Sequence, residues 1–342
     1  MTDHDAGRGL PAGVALRPWA EGDDLRLLEV WGDPADAQHH QDRAMLRPSS
    51  DGQGPDRQPW ARCLVAEDEG IPVAAAVVYA SSVHPRRLWF YAETAREQRG
   101  RGIATALLAA LRQEAHAARD EGAVEAVDLK ARFAVVPTEL PESAADAAAL
   151  DPADHPAAAF LAGQGFAPVQ RSRRIAVGPG SITAPELDGT GLTVEDLATG
   201  SVELTRAVAA FYEATHGWDP AEMSVGRAQQ LLLGPSTGAS GAVVLRPAPK
   251  DRGGAIDAFA ISYTPERSED PTDVLLGWNP ELAPADAQAA AVALLALLTT
   301  QYPVQLEVDD AMDVLTPALD RLVATGHARV LLDTRIWATD AT

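Results

Sequence analysis

Residues 161–175 and 322–336 agree at six of fifteen aligned positions without a gap. Leu161, Gly165, Ala167, Val169, Arg174 and Ile175 meet Leu322, Gly326, Ala328, Val330, Arg335 and Ile336. Only one of the six is alanine, so the alanine bias of the chain does not produce the match. A repeat at this spacing requires one supersecondary plan to be built twice. A chain of 342 residues is long enough for two units, each with its own core.

The order of elements supports the same division. In the first half, 14–18 reads as a strand, and Asp23 and Asp24 read as the cap of a helix over 25–31. A polar connection over 32–58 carries His39 and His40, and connections of that length are functional loops or hide a short helix. Strands follow at 63–67, 73–79 and 88–94, the first two joined at Asp68, Glu69 and Gly70 as a hairpin. A helix from 103 to about 116, a strand at 126–130, an acidic insertion at 137–154, a helix at 157–163 and a strand ending near 177 complete this half. Residues 178–191 are rich in Gly, Pro, Ser and Thr and read as a linker. Strands at 192–194, 242–245, 258–263 and 273–276, a helix over 285–300 and strands at 304–308 and 329–333 repeat the plan. The expected organisation is a mixed α/β domain over 1–177, a linker over 178–191 and a second domain over 192–342.

Composition narrows the partners. A net charge of −21 argues against nucleic acid or an anionic membrane and favours amine ligands, although acidity of this kind also serves solubility. The lone Cys63 excludes an internal disulfide, fits a reducing compartment and lies in an apolar run where packing explains it. No apolar leader segment and no stretch of about 18 apolar residues is visible, so a soluble cytoplasmic protein is expected.

The run Arg99-Gly100-Arg101-Gly102-Ile103-Ala104 carries the chemistry. It stands where a strand gives way to a helix. Two glycines allow a tight turn and close approach of backbone to ligand. The unpaired N–H groups of the new helix start then suit a phosphate, and the two arginines add positive charge. A Rossmann site would place its glycines near the start of a βαβ unit and include a third. Here a meander of strands precedes the run and the third glycine is missing.

With its strand-before, helix-after setting, the run resembles the Arg/Gln-x-x-Gly-x-Gly/Ala signature of the GNAT superfamily of acyl-coenzyme A-dependent N-acyltransferases. Gly165-Phe166 resembles that family's late Gly-Phe pair, and Leu16-Arg17-Pro18 with Asp23-Asp24 its first strand and helix start. The resemblance covers about 14–177 well and 192–337 by order of elements. It implies two GNAT-like domains, each a mixed, largely antiparallel twisted sheet flanked by helices. It further implies that Arg99, Gly100, Arg101, Gly102, Ile103, Ala104 and Thr105 hold the pyrophosphate of acetyl-CoA as co-substrate, with no metal. The backbone of Glu93 and Thr94 would contact the pantetheine arm, and a backbone N–H of the fourth strand would stabilise the oxyanion. Glu93 and His84 are the candidates for proton handling; a solvated charge is the alternative for each. His39 and His40 fall where the acceptor binds in the family.

Two departures stand out. Where many members carry a tyrosine that protonates the leaving thiolate, this chain has Leu161, preceded by Phe160, which leaves Tyr91 or a water for that task. Asp154 occupies the place of an asparagine that touches the pantetheine arm, and equally suits a helix cap. In the second half the run is replaced by Asn279-Pro280-Glu281-Leu282-Ala283-Pro284-Ala285-Asp286-Ala287-Gln288, without glycine and with acids where pyrophosphate would lie. The second domain therefore reads as degenerate. The leading expectation is acetyl transfer to the primary amine of a small molecule by direct attack in a ternary complex. The acidic insertion (Glu139, Glu142, Asp146, Asp151) would attract a cationic acceptor. Acetylation of a peptide or protein amine, a non-catalytic acyl-CoA sensor, and self-association as a homodimer stay open.

Overall fold

The computed structural model describes residues 10–34, 37–52, 59–135, 155–264 and 271–340. The acidic insertion, Asp154 and the first nine residues lie outside them. The chain divides into two compact units. The first comprises 1–134, 155–169 and 336–342, the second 135–154 and 170–335.

In the first unit the strands β1 (Val14–Pro18), β2 (Ala61–Asp68), β3 (Ile71–Tyr79) and β4 (Leu88–Thr94) form an antiparallel meander. The β2–β3 hairpin turns on Glu69 and Gly70, both at positive φ (52° and 83°), as a two-residue turn between twisted strands requires. β5 (Leu129–Val135) then joins β4 in parallel. It begins three residues later than expected from 126–130, because the alternation that buries Leu129, Ala131 and Phe133 starts only there. Helix α1 (Asp23–Trp31) follows β1, and the long connection contains the short helix α2 (Ala37–Arg43). The cap of α1 differs from expectation: its N-cap is Gly22, with no side-chain cap. Asp23 instead accepts two 2.7 Å bonds from Arg17 and one of 2.7 Å from the N–H of Ala20. Burial alone would raise the Asp23 carboxyl; Arg17 and Ala20 lower it below its ordinary range.

Two cores form on the two faces of this sheet. On one, helix α3 (Ile103–Asp120) buries Ile103, Leu107, Leu108, Leu111, Ala115 and Ala118, spaced at helical intervals, against Leu88 and Phe90 of β4. On the other, Leu27 and Leu46 pack on Cys63, Val65, Ala75 and Val77, with Tyr79 and Tyr91 alongside.

Helix α4 (Pro156–Gly163) leads into β6 (Ala167–Val177), whose residues 170–177 belong to the second unit. That unit adds β7 (Thr193–Leu197), α5 (Val202–Thr215), the one-turn α6 (Val225–Ala228) and β8 (Ala239–Arg246). It continues with β9 (Ala258–Tyr263), β10 (Thr272–Trp278), α7 (Pro284–Leu298), β11 (Val304–Asp309), α8 (Thr316–Ala324) and β12 (Ala328–Ala338), whose residues from 336 on belong to the first unit. Strands β7 to β10 form an antiparallel meander, β11 joins β10 in parallel, and β6 pairs antiparallel with β11.

The repeat is reproduced in local geometry. β6 and β12 both span eleven residues. Gly165 and Gly326 both end a helix in the left-handed region, at φ 82° and 75°. The following N–H reaches back to the helix in the same way, Phe166 to Leu161 at 3.0 Å and His327 to Leu322 at 2.9 Å. These are paired glycine-terminated helix ends, which explains why Leu and Gly persist in both copies.

Core truncation should separate the two kinds of leucine. Leu111→Ala, at a fully buried site, is expected to cost about 2–5 kcal/mol in denaturant unfolding. Leu25→Ala, at a site 64% exposed, should change stability by no more than about 0.5 kcal/mol.

Candidate functional site

The parallel ladder between β4 and β5 ends early. Leu88, Trp89 and Phe90 face Leu129, Lys130 and Ala131, and pairing stops there. The Leu88 N–H points toward β5 and bonds Asp128 at 2.8 Å, whereas the Ala95 N–H points the other way to Val73. Strand alternation then aims the N–H groups of Ala92 and Thr94 into the gap that opens beyond Phe90. The hydroxyl of Thr94, on the α3 side of the strand, is buried without a hydrogen-bond partner among the described residues. Buried polar atoms are ordinarily paired, which makes this hydroxyl an exception at the end of β4.

The glycine run continues from that end. Gly100 and Gly102 sit at φ 77° and 85°, and a Cβ built on either meets no atom of the protein within 4 Å, so the loop faces open space. Gly102 is the N-cap of α3, with no side-chain cap and no acid in the first turn. The N–H groups of Ile103, Ala104 and Thr105 therefore lack partners within the helix, at the positive end of an 18-residue dipole. Residues 99–105 and the end of β4 together fit a pyrophosphate followed by an extended amide-bearing arm. The two arginines differ. Arg99 is exposed and donates to the carbonyl of Thr94 at 3.2 Å. Arg101 is tied to Asp68 and Gln98 and lines a cavity of about 580 Å³ with Val73 and Ala95. Its charge is partly neutralised by the protein.

On the face opposite α3, the side chains of Trp89, Tyr91 and Glu93 meet α2. Arg43 grips the Glu93 carboxylate with two bonds of 2.7 Å, His39 Nε2 lies 3.1 Å from it, and the Tyr91 hydroxyl donates at 2.8 Å. Arg43 also lies 5.2 Å over the Trp31 ring. Burial pushes the Glu93 carboxyl up, but the donors from His39, Arg43 and Tyr91 prevail and hold it at about 2. A carboxylate this acidic and this fully bonded is a poor proton acceptor; its geometry is that of an anchor. Tyr91 is shifted upward by burial and by Glu93, which makes it a weaker acid than an ordinary tyrosine. Next to this group, Asp42 accepts from Arg132 at 2.9 and 2.7 Å and from Gln38 at 3.1 Å. Lys130, fully buried, and Arg132 lie 4.3 and 5.5 Å from the Trp89 ring.

The structure thus brings Glu93 and His39 into contact and places Thr94 beside the glycine loop. His40 is exposed on α2. His84 is buried in the turn before β4, where its N–H meets Ser81 Oγ at 3.2 Å. It stands at the end of a seven-residue strand opposite Thr94, and at about 3.3 Å per residue that separation is roughly 20 Å. Sequence reasoning missed Arg43, Asp42 and Arg132. For Arg43 and Asp42 the signal was the charged residues spaced along 37–43, in a connection read as a functional loop or one hiding a short helix; Arg132 had none. Leu161 is buried in the α3-side core, and Gly165 lets Phe166 turn inward to within 6.3 Å of Phe90.

In the second unit the β10–β11 ladder also has three pairs. Beyond them Trp278 is buried against Phe211 at 4.8 Å. Helix α7 starts at Pro284 with Asp286 in its first turn. Neither feature favours an anion.

A glycine-turned helix start thus follows directly on a parted pair of parallel strands. Residues 23–135 match the acetyltransferase (GNAT) family, and this part of the chain is a GNAT domain, the domain of acyl-CoA-dependent N-acetyltransferases. Among solved structures, the chain is similar to a GCN5-related N-acetyltransferase from Sphaerobacter thermophilus, at 18% identity over 96% of each chain with TM-score 0.55. It is also similar to a tandem GNAT protein from the clavulanic acid biosynthesis pathway, at 16% identity over 95% of this chain and 98% of that one, with TM-score 0.54. No curated protein matches the chain. These likenesses show the fold, and both halves of the chain share it. Among the described residues no helix is long and apolar enough to cross a membrane, and no group of three or more His, Cys, Asp or Glu is placed to hold a metal ion.

The anchor predicts a pH signature. The folded-state value of Glu93 lies below its ordinary 4.5, so its ionisation stabilises the fold fully above about pH 4.5 and that stability is lost as pH falls toward 2. The unfolding free-energy gap between wild type and Glu93→Gln should narrow by on the order of 2–3 kcal/mol between pH 6 and the acid limit of that window.

Proposed function

We propose that the first unit transfers an acetyl group from acetyl-CoA to the primary amine of a small molecule, by direct attack within a ternary complex. The observation that carries this reading is the orphaned Thr94 hydroxyl, buried at the junction of the glycine loop and the strand gap. The free amides of Ile103, Ala104 and Thr105 would hold the pyrophosphate, and the Thr94 hydroxyl would bond the arm. The Ala92 N–H, aimed into the gap, is the donor placed for a developing oxyanion, which rigid backbone stabilises without reorganising. Acyl transfer of this kind needs mainly that amine and thioester be held at near-attack distance. Tyr91, Glu93 and Arg43 form a fixed wall on the α2 side, where the acceptor would lie. Protons would then leave through water, because Glu93 is too acidic to take them. The second unit, with Trp278 and Pro284 at the corresponding positions, is assigned no coenzyme.

A non-catalytic acyl-CoA sensor is the second reading, favoured by Leu161 at the usual acid position and by the locked Glu93. Acetyl-CoA binding by calorimetry and amine-dependent thiol release decide between the two. Wild type should bind acetyl-CoA and release thiol with one or more amines. Gly102→Glu, which places a carboxylate and a Cβ at φ 85° in the loop, should weaken acetyl-CoA binding at least about 100-fold while the protein stays folded. Binding without thiol release from any amine would leave the sensor, and absence of binding would end both readings.

A further inference from the structure

Beyond the anchored Glu93, the α2 face of β2 to β5 carries an arginine that the fold does not use. Arg47 follows α2 and is half-buried. Its Nε is shielded from solvent with no hydrogen-bond partner. Among the described residues no carboxylate is paired with it, whereas Arg43 has Glu93 and Arg132 has Asp42. Of the three arginines, Arg47 alone has no carboxylate partner among the described residues.

Register fixes where that charge stands. Ala61 faces Tyr79, Tyr79 faces Trp89, and Trp89 faces Lys130, so one row crosses β2 to β5 on a single face. Arg132 lies two residues from Lys130 on that same face, and the main chain of Arg47 hydrogen-bonds to Cys63, two residues from Ala61. Arg47, Arg132 and Asp42 all act electrostatically on the Tyr79 phenol, which burial raises to about 12. Arg47, Tyr79 and Arg132 thus lie on one face of β2 to β5, near the Trp89 row and away from the glycine loop. No hydrogen bond from the Tyr79 hydroxyl is seen among the described residues.

A half-buried guanidinium with an unmet Nε, a second guanidinium that engages Asp42 through one edge only, and a phenol constitute a receptor for a small planar anion. A guanidinium with no carboxylate partner among the described residues matches an anionic group. We propose that Arg47, with Arg132 and Tyr79, binds a carboxylate of the acceptor, so that the amine acetylated belongs to an amino acid-like zwitterion. This rests on the acyl-transfer reading and deepens it. It adds a carboxylate to the amine that overall acidity leads one to expect in the acceptor.

The test uses the full-length protein with matched probes. β-Alanine, propylamine and 2-aminoethylphosphonate are compared as acceptors in the thiol-release assay. N-acetyl-β-alanine and its amide are titrated by calorimetry without acetyl-CoA. Wild type should prefer β-alanine over propylamine, and the acid over the amide, by about 10- to 100-fold, the range of a hydrogen bond to a charged group. Arg47→Ala should remove that preference while leaving acetyl-CoA affinity unchanged, and Arg47→Lys should restore part of it. Equal binding of acid and amide, or an unaltered preference in Arg47→Ala, would overturn the inference. Preference for the phosphonate would overturn the carboxylate assignment. The calorimetric arm does not require turnover, so its failure is distinguishable from failure of acetyl transfer itself.

Discussion

The proposed site in the first unit is built around two parallel strands that stop bonding after three residue pairs. A sheet that opens leaves N–H and C=O groups without partners, at a cost that native folds avoid unless something else holds the strands apart. Here helix α2 performs that task with side chains. Its Arg43 and His39 take Glu93 on β4, while its Asp42 takes Arg132 on β5. Three of its side chains tie the two strands where the backbones no longer pair, and they do so on one face. Tyr91 reinforces the β4 side, and the Trp89 ring lies under both Lys130 and Arg132.

This division of labour explains why Glu93 looks catalytic in sequence and structural in space. A carboxylate at the end of the fourth strand stands close to where a thioester would be held, yet its two oxygens are occupied by Arg43, His39 and Tyr91. Burial would favour the neutral acid, and these donors outweigh burial. Removing Arg43 would therefore do more than delete an ion pair. It would leave a half-buried carboxylate without its main partner and free one wall of the gap.

Much of the fold was legible because its signals are local. The glycine run, the hairpin at Glu69-Gly70 and the helix-ending Gly165 and Gly326 each require a backbone conformation that few residues adopt, so residue type reveals them. The repeat was visible for the same reason: Leu161 and Leu322 accept equivalent backbone bonds from the residues after those glycines. The α2 cluster was not legible. Arg43, Asp42 and His39 lie in a polar stretch whose partners are about 50 to 90 residues away in sequence, and periodicity carries no information on which charges meet. The cap of α1 was misread by the same limit, since Asp23 looks like a cap until Arg17 claims it.

The contrast between the two units shows how narrow the requirement is. Both keep three parallel pairs and then part. In the first, the position after parting offers Thr94 with an unused hydroxyl and leads into two glycines. In the second, Trp278 buries its ring against Phe211, and the helix opens on Pro284, which has no N–H, and Asp286, which carries the wrong charge. The parted sheet is thus a property of the fold, kept in both copies because it shapes each core. On the proposed reading, coenzyme binding belongs to the few residues that follow the parting, and a tryptophan and a proline there would remove it.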